Sequence, residues 1–585
     1  MIKIFIILII LIILFIVIKN NNSNNKVIVI GSGLAGLAAT CTLLDKGIHV
    51  ILIEKQQTLG GNSSKASSGI NASNSNIQKI NNIIDSNKLF YNDTLKSSKR
   101  NNEPYIGLIN QLVDHSSNAI EWLQNKNINL NNIAILGGHT NPRTHRPDSN
   151  VLVGIEIISK LSSYIKNNNN LTVMTDTSVI NFLKDNNTNI IGVTYEDSHN
   201  NRHNLYANCT ILATGGYGND HTKLSLLYKY RPDLKNLPTT NTGATTGDGI
   251  KMGQLIGALT SDLNEIQVHP TGFIDPVDIT NKTKTLCAEV MRGVGGILLN
   301  LDGNRFCNEL GTRQYIVDKM NEQIKKQKDN KFIILLNENA IKNVTSHLNH
   351  YITNKLIIKM DNGTQLANKL NISSNNLKIL FNKYKKQVQA KKDEFGKTVF
   401  NSTFNMNDVF YYGYVTPVIH YCMGGLQITD KCEVLSDNGI INNLYAAGEV
   451  TSGIHGSNRL GGNSLLECTV YGRIAGEQAS KGILPQNNII NTITRFLKQI
   501  NFNIFNKKEI LQNITVNELK KHNKLTDAWI VIDNKVYDVT NYIDKHPGGK
   551  NSILRHAGTD ATKAFYQIHE SYMLDDLKNN IIGII

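Results

Sequence analysis

Cysteine is scarce in this chain of 585 residues. Cys41, Cys209, Cys287, Cys307, Cys422, Cys432 and Cys468 make an odd set of seven with no Cys-x-x-Cys pair. That excludes a disulfide scaffold and leaves no zinc or iron–sulfur ligand spacing. It suits a reducing compartment. Proline is also rare, 10 against 44 glycines, which excludes a collagen-like repeat. Charged residues reach only 18%, while 40% are hydrophobic, so the chain can bury a sizeable core and is not disordered throughout. At roughly 100–200 residues per domain, about three to five folding units are expected. Lys+Arg 61 against Asp+Glu 47 leaves +14. No C2H2 spacing, aromatic-basic strip or helix-turn-helix signal accompanies that charge, so no nucleic acid partner is expected. The basic excess is scattered among Asn-rich stretches and reads as solvated surface.

The one long apolar run is at the start. Ile4 to Ile18 is unbroken over 15 residues, flanked by Lys3 and Lys19 and followed by polar Asn20–Asn25. As a helix it spans about 22 Å, short of a ~30 Å hydrocarbon core unless Met1 and Ile2 extend it and the lysines snorkel. No small-x-small cleavage site follows, so an uncleaved anchor is expected over a removed signal. Lys19 and Lys26 favour a cytosolic body.

Lys26–Ile30 reads as a buried strand, followed by Gly31-Ser32-Gly33-Leu34-Ala35-Gly36 and a helix from Leu37. Gly31 permits the tight turn, Gly33 lets backbone approach a pyrophosphate, and Gly36 allows close helix–strand packing. A second strand, His49–Ile53, ends in Glu54, 18 residues past Gly36, where a carboxylate can accept ribose hydroxyls. A Gly/Ser-rich loop follows, Leu59–Ser64 and then Ala66–Asn71. Cys209–Leu212 is another buried strand, ending in Ala213-Thr214-Gly215-Gly216. Asn443–Ala447 is a fourth, ending in Gly448-Glu449. Strand ends that return hundreds of residues later to one nucleotide point to FAD rather than NAD.

These segments, from about Lys26 to Lys481, resemble the fumarate reductase/succinate dehydrogenase flavoprotein family, and within it the soluble fumarate reductase branch. The resemblance implies non-covalent FAD, because Ser63-Ser64 lacks the histidine that tethers the flavin in succinate dehydrogenases. It places FAD against Gly31, Ser32, Gly33, Ala35 and Gly36 in the turn, Glu54 and Lys55 after the second strand, and Asn62, Ser63, Ser64, Ser68 and Gly69 in the loop. Ala213, Thr214, Gly215, Asp248, Glu449, Ser464 and Leu465 complete that set.

Four cationic or potentially cationic residues stand in Gly-rich surroundings: His269, Arg313, His420 and Arg459. A small dicarboxylate needs donors at both ends, with arginine offering a bidentate fork and histidine a directional N–H. The resemblance makes His269, His420 and Arg459 the carboxylate clamps, Gln267 their support, Arg313 the proton donor, and Glu289 and Arg292 the relay that reprotonates it. Two departures from the family pattern bear on this. Ala288 sits where many relatives carry a hydroxyl, and Gln314 sits where Asp is frequent. The cluster His139-Thr140-Asn141-Pro142-Arg143-Thr144-His145-Arg146 is either part of the site rim or a solvated loop.

A polar, Asn-rich stretch follows Pro485, and the pattern restarts at Ile514. Trp529–Ile532 and Lys535–Thr540 read as strands joined by an Asp533-Asn534 turn. His546-Pro547-Gly548-Gly549 and His569 follow, 23 residues separating the histidines. This part resembles cytochrome b5. Two neutral imidazoles can take haem b iron from opposite faces, so His546 and His569 are the expected ligands. Ile553, Leu554, Phe565 and Leu577 are expected in the pocket, and His556 is expected in a helix, pointing to water.

The fold class expected is an α/β, doubly wound FAD-binding domain with an inserted α+β capping domain, a small α+β cytochrome b5-like domain and an N-terminal apolar helix. The boundaries expected are 1–25 anchor, 26–263 and 394–484 FAD-binding, 264–393 cap, 485–511 linker and 512–585 haem unit. The function implied is FAD-dependent reduction of fumarate to succinate, with electrons arriving through the b5 haem from an NADH-dependent reductase or another donor. Alternatives are another unsaturated carboxylate of the urocanate or acrylate type, or a b5-type carrier with an inactive flavin domain. The expected location is a membrane of the endoplasmic reticulum or mitochondrion, held by the N-terminus.

Overall fold

The computed structural model describes residues 25–100, 107–149, 151–222, 224–342, 344–481, 483, 511–546, 549–569 and 571–585. The expected N-terminal apolar helix, most of the 485–511 linker, and Pro547 and Gly548 lie outside these residues. Among the described residues no helix is long and apolar enough to cross a membrane. The chain divides into two compact units, Met1–Ile489 and Ile490–Ile585.

In the first unit, β-branched and leucine-rich runs form a six-stranded sheet. Its order is Glu433–Ser436, Gly439–Ala446, Cys209–Leu212, Lys26–Ile30, His49–Ile53, Leu171–Met174. All neighbours are parallel except the antiparallel edge pair at 433–446. Its inner strands are buried on both faces, which explains their unbroken apolar sequences. The helix Leu34–Asp45 is buried along almost its whole length and crosses Asn463–Lys481 closely. Side chains at Gly472 and Gly476 would meet Ala35 O at 2.4 Å and Ala39 O at 2.8 Å. Two glycines one turn apart let the helix backbones touch. All seven cysteines are free and buried, as the absence of paired spacing implied.

A second, antiparallel sheet runs Ile266–Phe273, Phe410–Cys422, Phe332–Asn337, Ile297–Leu299, with Ile358–Met360 also pairing on Phe410–Cys422. The expected end of the insert at 393 is therefore too early. The 13-residue strand Phe410–Cys422 pairs along Phe332–Asn337 and Ile266–Phe273, so it is the centre of the insert's own sheet. Cross-strand pairing is non-local and leaves no mark in linear composition. Two separate apolar clusters lie on the sheet, one around Phe273, Leu298 and Phe332, the other around Leu299, Phe381 and Phe410.

The second unit holds a five-stranded sheet built on the hairpin Asp527–Ile532/Lys535–Asp538. Its tight turn uses Asp533 and Asn534, both left-handed at φ 51° and 61°, the residues that tolerate such a turn best after glycine.

Candidate functional site

One cavity of ≈ 480 Å³ begins at the Gly31–Gly33 turn and ends among His269, Arg313, His420 and Arg459. All the residues expected to hold FAD line it except Gly36. Gly36 does the packing task instead: a Cβ there would lie 1.9 Å from Gly31 O. Gly31 is held at φ +97° with no room for a side chain beside Ala213 O, whereas a Cβ at Gly33 would meet only Ser63 Oγ, at an ordinary 3.7 Å. Glu54 is buried, its Oε2 accepting from Ser32 N (2.9 Å) and Ser32 Oγ (2.6 Å). Asn62 ties the Gly/Ser loop to Asn241 and Thr245 at 2.7 and 3.1 Å. Lys55 pairs with Asp248 at 2.7 Å. Burial pushes the Glu449 carboxyl up to about 8, against the opposing pull of the Cys422 N–H and Arg459. Ser67 Oγ and Thr214 Oγ1 are buried beside the cavity without hydrogen-bond partners. An open glycine turn, buried carboxylates and orphaned hydroxyls together fit a dinucleotide such as FAD. Thr177–Val179, the Thr240–Thr245 loop and Tyr351 also line the cavity. Nothing in their linear pattern marks them.

The far end is built by the second sheet. Gln267 and His269 alternate onto one side of Ile266–Phe273, opposite Tyr421 and Val418. A register break between His269 and Gly272 accommodates Pro270, which cannot donate to the ladder. The His269 and His420 rings meet edge-on with centroids 5.3 Å apart. His269 Nδ1 accepts from Thr271 N (3.2 Å), so its neutral ring carries hydrogen on Nε2 as a donor. His420 Nδ1 contacts Thr240 Oγ1 at 2.8 Å. Both imidazoles are driven well below their ordinary range by burial and by Arg313; His420 and Arg459 press further on His269, and Arg459 also presses on His420. They are neutral hydrogen-bond donors, which corrects their reading as potential cations. The positive charge belongs to Arg313 and Arg459.

Arg313 opens the helix Arg313–Gln327 behind a Thr312 N-cap. Its Nε and Nη2 meet Glu289 Oε2 at 3.0 and 2.8 Å, and its Nη1 donates to Gln267 Oε1. Burial raises the Glu289 carboxyl, but Arg313 and Arg292 outweigh it and bring it down to about 2. Arg292 donates Nη1 to Glu309 O (2.6 Å), while its buried Nε and Nη2 have no partner. Glu309 is itself fixed by Arg305 and Lys397 at 2.8 and 2.9 Å. Gln314 turns away to Asp318 (2.8 Å), so it does not orient Arg313. Ala288 N donates to Tyr351 Oη at 3.0 Å.

The 139–146 cluster is no solvated loop. Arg143 is fully buried, forking onto Asp85 (3.0 and 2.9 Å) and reaching Asp93. The preceding turn touches the site: Gly137 packs on Glu289 Oε1, and His139 Nε2 meets Gly461 O at 3.0 Å.

In the second unit the His546 and His569 rings lie with centroids 5.7 Å apart, tilted by 47° to each other. Each Nδ1 contacts a backbone carbonyl, Gly549 O at 3.4 Å and Phe565 O at 3.3 Å. This favours the tautomer with a bare Nε2, the form that ligates iron. Ile553 and Leu577 are buried in the adjoining apolar cluster, with Leu554 and Phe565 packed on it. The pair and its apolar surroundings fit haem. His556 lies in the turn after the helix Lys550–Leu554, half-buried, rather than within a helix facing water.

The family described as "FAD binding domain" matches residues 26–465, and "Cytochrome b5-like Heme/Steroid binding domain" matches 515–585. "Fumarate reductase" of Schizosaccharomyces pombe (strain 972 / ATCC 24843) is 41% identical, covering 78% of this chain and 90% of that protein. "Fumarate reductase 1" of Saccharomyces cerevisiae (strain ATCC 204508 / S288c) is 40% identical, covering 77% and 97%. The open conformation of a flavocytochrome c3 fumarate reductase superposes with a TM-score of 0.66 at 31% identity over 79% of each chain.

Proposed function

Because the chain belongs to the FAD-binding family and is 41% and 40% identical to two yeast fumarate reductases, we propose that it reduces fumarate to succinate. The observation that carries this is the single cavity joining the dinucleotide turn to two buried arginines and two neutral histidine donors. When bound, FAD supplies the hydride for the carbon–carbon double bond.

The residues of the chain do the rest. Arg459 grips one carboxylate, and His269, through Nε2–H, and His420 hold the substrate's other polar end. Concentrating positive charge at one end withdraws electron density from the alkene. Arg313 gives a proton to the carbon next to the one that receives hydride. Arginine is a weak acid in water, so the transfer needs a basic carbanion-like carbon and a proton source at its back. Glu289 Oε2, 2.8 Å from Arg313 Nη2, is placed to return that proton, and Arg292, whose buried Nε and Nη2 have no partner, to pass it on. Gln267 holds Arg313 on the other side and donates through Nε2 to Arg459 O (3.2 Å), so proton donor and clamp share one support. The insert, 264–393 together with the Phe410–Cys422 strand, supplies Gln267, His269, Glu289, Arg292, Arg313 and His420. Its closure over the FAD-binding body would exclude water. The 512–585 unit is the port for electrons from a reductase partner, and the N-terminal run a membrane anchor.

The test is anaerobic. The purified chain is reduced and mixed with fumarate, and the haem and flavin bands and succinate are followed. Reoxidation with stoichiometric succinate is expected. A flavin-loaded chain that leaves fumarate untouched overturns the proposal.

A further inference from the structure

Behind Arg459 lies a buried polar chain that the proposed chemistry does not use: Tyr421 lines the cavity, and Glu467 and His455 stand behind it. The Arg459 guanidinium sits over the Tyr421 ring, 4.4 Å from its centroid. Tyr421 Oη donates to Glu467 Oε2 at 2.5 Å. The same oxygen accepts from His455 Nε2 at 2.8 Å, and the Tyr421 and His455 rings meet edge-on at 5.7 Å. Exposure is 4% for Tyr421, 3% for His455 and 1% for Glu467. Three elements contribute: the end of the Phe410–Cys422 strand, the loop before Arg459, and the Asn463–Lys481 helix.

A carboxylate in such a place is costly unless it is hydrogen-bonded and answers a nearby positive charge. Glu467 meets both conditions, with two donors on one oxygen and Arg459 just beyond the phenol. Arg459 needs what this chain offers. Its own direct protein bond is a 3.3 Å contact from Nη1 to Leu460 O, and its buried Nε has no partner. A guanidinium so loosely tied is aimed by the aromatic face beneath it, and a desolvated cation–π contact is among the stronger of its kind. That face is in turn fixed by the phenol's charge-assisted bond.

We propose that Tyr421, Glu467 and His455 are positioning residues for Arg459: Glu467 and His455 lock the phenol, and the phenol ring sets the plane and place of the guanidinium that grips a substrate carboxylate. The unit touches neither substrate nor FAD through Glu467 or His455. The Arg459 charge and its pull on the alkene remain in either variant; what the unit adds is the placement of the grip, felt alike by bound substrate and transition state, so it acts on KM rather than kcat. This rests on the function proposed above, in which Arg459 is a clamp.

The test uses the full-length, FAD-loaded chain and the variants Glu467→Gln and Tyr421→Phe. Fumarate KM and kcat are measured beside the calorimetric Kd of malonate, a dicarboxylate with no double bond to reduce. Flavin content and melting midpoint are recorded in parallel. Glu467→Gln is expected to raise fumarate KM and malonate Kd together by about tenfold, with kcat within about twofold. Tyr421→Phe, which keeps the ring and loses its tether, is expected to raise both by about threefold. If Glu467→Gln does not accumulate as folded protein, Tyr421→Phe decides. Unchanged malonate Kd in the flavin-loaded variants, whatever their melting midpoints, overturns the inference and leaves the fumarate assignment standing. A wild-type chain that neither binds malonate nor reduces fumarate overturns both.

Discussion

At the residue scale, Arg313 makes the sharpest demand. Replacing it by alanine removes the proton donor and leaves Glu289 buried without its main counter-charge. Fumarate turnover is expected to fall by about 10²–10⁴-fold while the protein stays yellow. Normal turnover in a flavin-loaded Arg313→Ala chain would remove it from the chemistry. Glu449 makes a different demand. Its carboxyl is pushed up to about 8 from an ordinary value of 4.5, chiefly by burial. Between those values the folded apoprotein holds a proton that the unfolded chain has released, so the contribution of Glu449 to stability is fully present below about 4.5 and is lost as pH rises towards 8. Thermal unfolding of flavin-free protein across that window should show the decline, and Glu449→Gln should flatten it. An equal slope in the variant would assign the decline to other groups. Identity was legible at this scale, and state was not. The sequence marks His269 and His420 by their glycine-rich surroundings, but their neutrality comes from neighbours distant in the chain. Thr240, which orients His420, and Glu467 have no local signature at all.

At the element scale, the strand and glycine turn at Lys26–Gly33 form where the pattern placed them, because both are short-range events, while the helix begins at Leu34, three residues before the expected Leu37, and takes Gly36 into its first turn. The insert's far boundary was not legible, because it depends on which strands pair. The crossing of Leu34–Asp45 with Asn463–Lys481 gives a test of backbone contact. Gly472→Val puts a branched side chain where Ala35 O already stands 2.4 Å from a modest Cβ. The helices must part, at a cost of about 1–3 kcal/mol. Lower melting temperature and weaker FAD retention are expected together, since Ala35 follows the turn that faces the cavity. A variant as stable as wild type would mean that the helices can slide apart without penalty.

At the scale of the whole molecule, the two compact units separate two cofactors. Replacing His569 or His546 by alanine should abolish the haem absorption band and leave flavin content unchanged. Fumarate reduction driven by a small reduced dye should persist in those variants, and reduction fed through the haem should stop. Loss of dye-driven activity as well would show that the flavin unit depends on the haem unit for its own integrity. The long strand Phe410–Cys422 sets a further condition. It is the spine of the insert's sheet, yet its last residues carry His420 and the Tyr421 seat of Arg459. A cassette cut at 264 and 393 would leave that spine behind in the host, so transplanting this lid between related proteins must take the two pieces as one graft or forfeit both ends of the grip.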